Sequence, residues 1–135
     1  MELRKATYRD WDFILQVRNE GKDGFMDAEL IDSETHELFM SENGKGYFIA
    51  SVKGMDVGFI GEVQRDVRLA IHPDCTGKGY GSKMIELYTG KFSKEDYLSA
   101  TVKPDNIASI KSFEKAGWIM QPITFRPMLK RKEND

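Results

Sequence analysis

Three glycines at alternate positions, Gly77, Gly79 and Gly81, separate a strand-like run from an amphipathic helix and constrain this chain more than any other feature. The run before them, Val67-Arg68-Leu69-Ala70-Ile71, suits a strand, and Met84, Ile85, Leu87, Tyr88 and Phe92 recur with helical period after them. Glycine lets backbone N–H groups approach an anion with no Cβ in the way. A helix starting there adds unpaired N–H donors and the positive end of its dipole. The stretch Thr76-Gly77-Lys78-Gly79-Tyr80-Gly81-Ser82 therefore reads as a cradle for a phosphate or pyrophosphate. It is not a Walker loop, because Ser82 follows Gly81 where that motif needs lysine. Nor is it a dinucleotide fingerprint, since the spacing is G-x-G-x-G.

The rest of the chain sets this loop inside a mixed sheet. Leu3 to Ala6 suits a first strand, and Thr7-Tyr8-Arg9-Asp10 gives a helix start with a hydroxyl three residues before a carboxylate. A second helix is expected from Asp32 or Ser33 to Asn43-Gly44. Strands over Tyr47–Val52, Val57–Val63 and Val67–Ile71, joined at Lys53-Gly54 and Gln64-Arg65-Asp66, predict an antiparallel meander. Tyr97–Val102 is a further strand. Asp105 or Asn106 caps a helix bearing Ile107, Ile110 and Phe113, with Gly117 at its C′ position. Trp118–Met120 and Ile123–Leu129 are expected as the last strands, and Lys130 to Asp135 as a charged, frayed tail. The predicted order is β-α-α-β-β-β-α-β-α-β-β, an α/β (α+β) fold with about seven mostly antiparallel strands, about four helices and one right-handed crossover.

A chain of 135 residues is one domain's worth, so residues 1–135 are taken as a single domain. A net charge of −2 lacks the basic excess of a nucleic-acid binder, so no nucleic acid is expected. No run is long and apolar enough to span a bilayer, and no leader is visible, so no membrane is expected. With Cys75 as the single cysteine and two histidines, the chain has no disulfide framework and no His/Cys zinc site; the expected setting is cytoplasmic, with no metal.

From Val67 to Met84 the sequence resembles motif A of the GNAT superfamily of N-acetyltransferases, a strand followed by [QR]-x-x-G-x-[GA] and a helix. Asn106-Ile107-Ala108-Ser109-Ile110-Lys111-Ser112-Phe113-Glu114-Lys115-Ala116-Gly117-Trp118 is similar to the superfamily's motif B. The resemblance implies acetyl-CoA as cosubstrate. Its pantetheine arm would pair with the backbone of Leu69, Ala70 and Ile71. Its pyrophosphate would rest on the N–H groups of Gly77, Lys78, Gly79, Tyr80, Gly81 and Ser82. Asn106 matches the motif B asparagine that touches pantetheine, and Ser109 follows one turn later.

Two residues depart from the pattern. Thr76 stands where the superfamily has glutamine or arginine, although a backbone cradle does not need that side chain. Phe113 replaces the tyrosine that in many members protonates the departing thiolate. Tyr88 or Tyr80, water, or no acid at all could fill that place; Phe113 is otherwise a plain core aromatic. Glu62 and Asp66, flanking the 64–65 turn, are the nearest carboxylates by topology for a general base, with solvated turn residues as the alternative. His72 could act as a base or be a structural strand-end residue before proline, and Cys75 reads as a small filler in preference to a nucleophile.

Val17-Arg18-Asn19-Glu20 and Ile31-Asp32-Ser33-Glu34-Thr35-His36, with Phe39, are similar to a pattern in one subgroup. That subgroup acts on amino groups of nucleotide-linked sugars, with relatives that modify protein N-termini. The likeness makes Arg18, Asn19 and His36 acceptor-site candidates; capping or surface roles are the alternative. The expected function is direct transfer of an acetyl group to a primary amine of a small molecule or amino sugar, by a monomer or homodimer. A protein or peptide amine, or acyl-CoA binding without transfer, are the other readings.

Overall fold

The computed structural model describes residues 1–93, 96–121 and 128–131. The elements follow the expected order: β1 (Glu2–Lys5), α1 (Trp11–Glu20), α2 (Ser33–Asn43), β2 (Phe48–Val52), β3 (Met55–Val63), β4 (Asp66–Ile71), α3 (Tyr80–Thr89), β5 (Ser99–Thr101), α4 (Ile107–Lys115), β6 (Trp118–Gln121) and β7 (Met128–Arg131). Local chemistry explains most boundaries. Asp10 accepts the Thr7 N–H at 2.8 Å ahead of α1, Asp32 caps α2 through the Thr35 N–H at 2.7 Å, and Asn106 caps α4 through the Ser109 N–H at 3.2 Å. Gly117, at φ +94°, ends α4 as expected.

The seven strands of the described residues form one sheet in the order β1-β2-β3-β4-β5-β7-β6. All pairs are antiparallel except β4 with β5, the crossover around α3. Alternation sends neighbouring residues to opposite faces. Ile49 and Phe59 join Ile14, Val17, Met40 and Tyr47 under α1 and α2; Ala50 and Ile60 join Met84, Ile85, Tyr88 and Phe113 under α3 and α4. With both faces covered, each fully buried large apolar side chain contributes about 1.5–3 kcal/mol.

Two expectations are corrected. Lys130 and Arg131 are not frayed: both lie in β7, and the Arg131 guanidinium donates to the Ser93 and Asp96 carbonyls. The strand expected over 97–102 is trimmed to Ser99–Thr101, the three residues that pair with β7. Of the strand expected over 123–129, the part before residue 128 lies outside the described residues, as does the tail after Arg131. The Gln64-Arg65 turn places two non-glycine residues at φ +52° and +69°. The Glu62 carboxylate, accepting the Arg65 N–H, braces that unfavourable pair.

Candidate active site

β4 and β5 meet and then part. Their ladder has one rung, Asp66 against Ser99, where the Ser99 N–H donates to the Arg65 carbonyl at 3.0 Å. The next rung of a regular parallel ladder would carry the Thr101 N–H to the Val67 carbonyl. That N–H donates instead to Asp66 Oδ1 at 3.1 Å. On its other edge β4 pairs with β3 throughout, ending with His72 N–H to Val57 O at 2.8 Å. Alternation then turns the peptide groups of Val67, Leu69 and Ile71 towards the gap. Of the residues expected to pair with a pantetheine arm, Leu69 and Ile71 thus present an open strand edge inside the sheet, whereas the Ala70 peptide is turned to β3 opposite Phe59.

The glycine loop lies at the end of that edge. Gly77 and Gly79 both have φ +77°, and a Cβ on either would meet nothing within 4 Å. Glycine is required there by conformation, and the space beside the backbone is open. Gly81 is required by space instead, since its Cβ would lie 2.8 Å from Ser112 Oγ on α4. Thr76 to Gly79 are exposed. The Thr76 hydroxyl donates to Pro73 O at 3.1 Å and the Ser82 hydroxyl to Gly79 O at 3.2 Å, so both side chains shape the loop. Its backbone remains to face an anion. Lys78 is exposed on the loop, and Tyr80 opens α3 half-buried. His72 accepts the Asp74 N–H on Nδ1 at 3.1 Å, and Cys75 is buried in the core.

On the α1–α2 side of the sheet lies a cavity of about 360 Å³, within the range of small-molecule sites. It gathers Arg18, His36, Asp66, Leu69, Asn106 and Ser109, residues from α1, α2, β4 and the start of α4 that the sequence analysis singled out separately. The segment from Gly24 to Ile31 closes one wall, and the expected acceptor residues hold that wall. Arg18 donates to Glu29 O at 2.6 Å and to Asp27 O, and its guanidinium lies 5.1 Å from the Phe25 ring centroid. Asn19 exchanges two hydrogen bonds with the Ile31 backbone, at 2.9 and 3.0 Å. Asn106 donates to Gly24 O at 3.1 Å while capping α4. These three side chains place the wall more than they offer groups to a ligand.

His36 is different. Its Nε2 lies 2.8 Å from the Trp11 carbonyl and must therefore carry the proton, which leaves Nδ1 as an acceptor without a partner among the described residues. Burial holds the imidazole below its ordinary value, against the pull of Trp11 O and Asp12. The ring is a neutral base at pH 7. Burial also pushes the Asp66 carboxyl above the usual carboxylate range, opposed by Arg68 and the Thr101 hydrogen bonds.

Three expected residues lie away from the cavity. Glu62 is engaged in the turn. Tyr88 is 1% exposed, packed between Phe48 and Phe92 at 5.9 and 5.1 Å, and burial raises its hydroxyl pKa strongly. The period that places it on α3 points it into the core, away from the α1–α2 side. Phe113 is 1% exposed and sits 4.8 Å from the Trp118 ring, the plain core aromatic.

The sequence analysis missed Tyr47 and Arg68. Tyr47 pairs with Gly61 by continuation of the β2–β3 register, and Gly61 pairs with Arg68. The three share one row across the sheet. A Cβ at Gly61 would come within 2.6 Å of the Tyr47 ring, so the glycine lets that ring lie across β3 into the cavity. Burial pushes its hydroxyl up to about 12, so it stays a donor. A tyrosine at a strand start reads as β-former, and nothing short of the register reveals that row.

Comparison with known proteins identifies the fold and the family. The chain is 40% identical over 52 residues to an RNA cytidine acetyltransferase of Achlya ambisexualis, covering 38% of this chain and 14% of that protein's length. It is 26% identical over 129 residues to an acetyltransferase of Yersinia enterocolitica, covering 90% of this chain and 89% of that one. The structure of a putative acetyltransferase from Salmonella typhimurium, solved with acetyl-CoA, superposes with a TM-score of 0.79 at 15% identity, covering 100% of this chain and 95% of that one. Among the described residues no helix is long and apolar enough to cross a membrane, and no three His, Cys, Asp or Glu side chains are grouped to hold a metal. The model of the acetyltransferase (GNAT) family matches residues 6–118, and the chain belongs to that family.

Proposed function

We propose that this protein transfers an acetyl group from acetyl-CoA to the primary amine of a small molecule, with an amino sugar as the leading class. The observation that carries this reading is the meeting of two features at Leu69. The open edge of β4 runs from the glycine loop to that residue, and Leu69 also lines the cavity. A linear ligand with a pyrophosphate at one end fits the loop and the edge, and its far end reaches the cavity. The Salmonella protein holds such a ligand.

Acetyl-CoA supplies a thioester already activated for attack by an amine. The loop N–H groups hold its pyrophosphate, and the peptide groups of Leu69 and Ile71 orient its arm. The cavity holds the acceptor, and Nδ1 of His36 takes the proton that the amine must lose. No tyrosine is needed at position 113. A thiol with a pKa of about 8.5 leaves readily as its thiolate, and water can supply the proton. The charged lining groups Arg18 and Arg68 are balanced by Asp27 and Asp66, so nothing draws a cationic peptide terminus. That balance and the enclosure favour a small acceptor over a protein.

The test is calorimetric titration of acetyl-CoA, followed by thiol release with glucosamine, simple primary amines and a short peptide. Micromolar binding and turnover with a small amine are expected. Turnover with the peptide alone would move the acceptor to the protein class, and binding without thiol release from any amine would overturn the reading.

A further inference from the structure

The gap between β4 and β5 needs a cause. Strands that share one rung gain a backbone hydrogen bond with each further rung, so zippering is the default. Here the second rung is blocked by a side chain. Asp66 Oδ1 accepts the Thr101 N–H at 3.1 Å and faces the Thr101 hydroxyl at 3.4 Å. Asp66 Oδ2 lies 3.6 Å from Arg68 Nε. Thr101 is thereby satisfied without the Val67 carbonyl, and the strands diverge over the residues that face the cavity. Aspartate suits the task, because its short side chain reaches one peptide along the neighbouring strand from the first residue of β4.

We propose that Asp66 is a positioning residue that holds β4 and β5 apart, its carboxylate standing in for the backbone acceptor of the missing rung and leaving the Leu69 and Ile71 edge free for acetyl-CoA. The role rests on the reading that acetyl-CoA lies along β4, and it is distinct from that of a base. Both oxygens are already engaged, and what matters is an acceptor at Oδ1, not a negative charge.

Three proteins compared by calorimetry with acetyl-CoA test it: wild type, Asp66→Asn and Asp66→Ala. Asparagine keeps the acceptor, so binding should stay within about threefold of wild type; alanine frees the Thr101 N–H to take the Val67 carbonyl, and affinity should fall by about tenfold or more. Alanine binding like wild type, or asparagine failing as badly as alanine, would overturn the role. Amide hydrogen exchange on the free wild-type protein covers the case in which alanine does not fold. Thr101 should be protected while Leu69 and Ile71 exchange fast; protection at Leu69 and Ile71 would sink the proposal. If wild type does not bind acetyl-CoA at all, the acetyl-CoA reading fails, and the exchange pattern still decides what Asp66 does to the gap.

Discussion

Residues 76–82 and the cavity behind β4, the two parts of the proposed site, are built by opposite means. The loop offers backbone to solvent, and its conformation follows from two glycines at φ +77° and a helix start within one short segment. The cavity is walled by side chains from α1, α2, β4, α4 and the segment from Gly24 to Ile31. A backbone site survives changes of side chain, as Thr76 suggests, whereas a side-chain site is specific to each buried partner. Changes in the loop should therefore alter acetyl-CoA affinity alone, and changes in the cavity should alter acceptor use or the wall.

The largest separation is expected at His36. His36→Gln can keep the bond to Trp11 O but removes the base, and kcat should drop by about 10²- to 10⁴-fold with acetyl-CoA affinity unchanged. The pH profile carries the same sign. The wild-type rate should fall as pH drops through a value below the ordinary 6.5, because protonation removes the base. Stability follows too: the unfolded chain binds the proton first, so the contribution present above 6.5 is lost as pH falls through the depressed folded value. Glutamine should flatten that dependence in thermal melts.

Arg18→Ala comes next. It leaves the Asp27 and Glu29 carbonyls without their charged donor and should cost about 1.5–3 kcal/mol of stability. Acceptor KM should rise while acetyl-CoA titrates normally; a matching loss of acetyl-CoA affinity would erase the contrast between the regions. Gly79→Ala forces a Cβ into the left-handed region, at about 1–2 kcal/mol, and should weaken acetyl-CoA binding about 5- to 30-fold with acceptor KM untouched. The smallest effect belongs to Tyr47→Phe. The ring keeps its packing on Phe39 and Phe59, and loss of the hydroxyl should raise acceptor KM by about 0.5–1.5 kcal/mol without moving the melting temperature.

The loop was legible because its signal is local. Glycines at positions 77, 79 and 81, the period of α3 and the Asn106 cap sit within a few residues of the groups they place. Arg18, Asn19 and His36 were found through likeness to a subgroup, yet two of the three turn out to hold a wall. Sequence distance hid that role: Arg18 and Asn19 act on carbonyl and amide groups from Asp27 to Ile31, and Asn106 on Gly24. Tyr88 and Tyr47 reverse the same lesson. A tyrosine expected near the chemistry is sealed in the core, and one that passed as a strand residue reaches the cavity over Gly61.

Periodicity, caps and turn residues in the sequence determined the order of elements, the meander, the crossover and the glycine loop, because each depends on neighbours along the chain. Tertiary structure decided which face each side chain meets and which polar groups stay free. It alone showed that Asp66 interrupts the β4–β5 ladder, since that depends on a hydrogen bond between residues 35 apart. Sequence pattern specifies what a segment can form; the register of one strand against another decides what the resulting surface can bind.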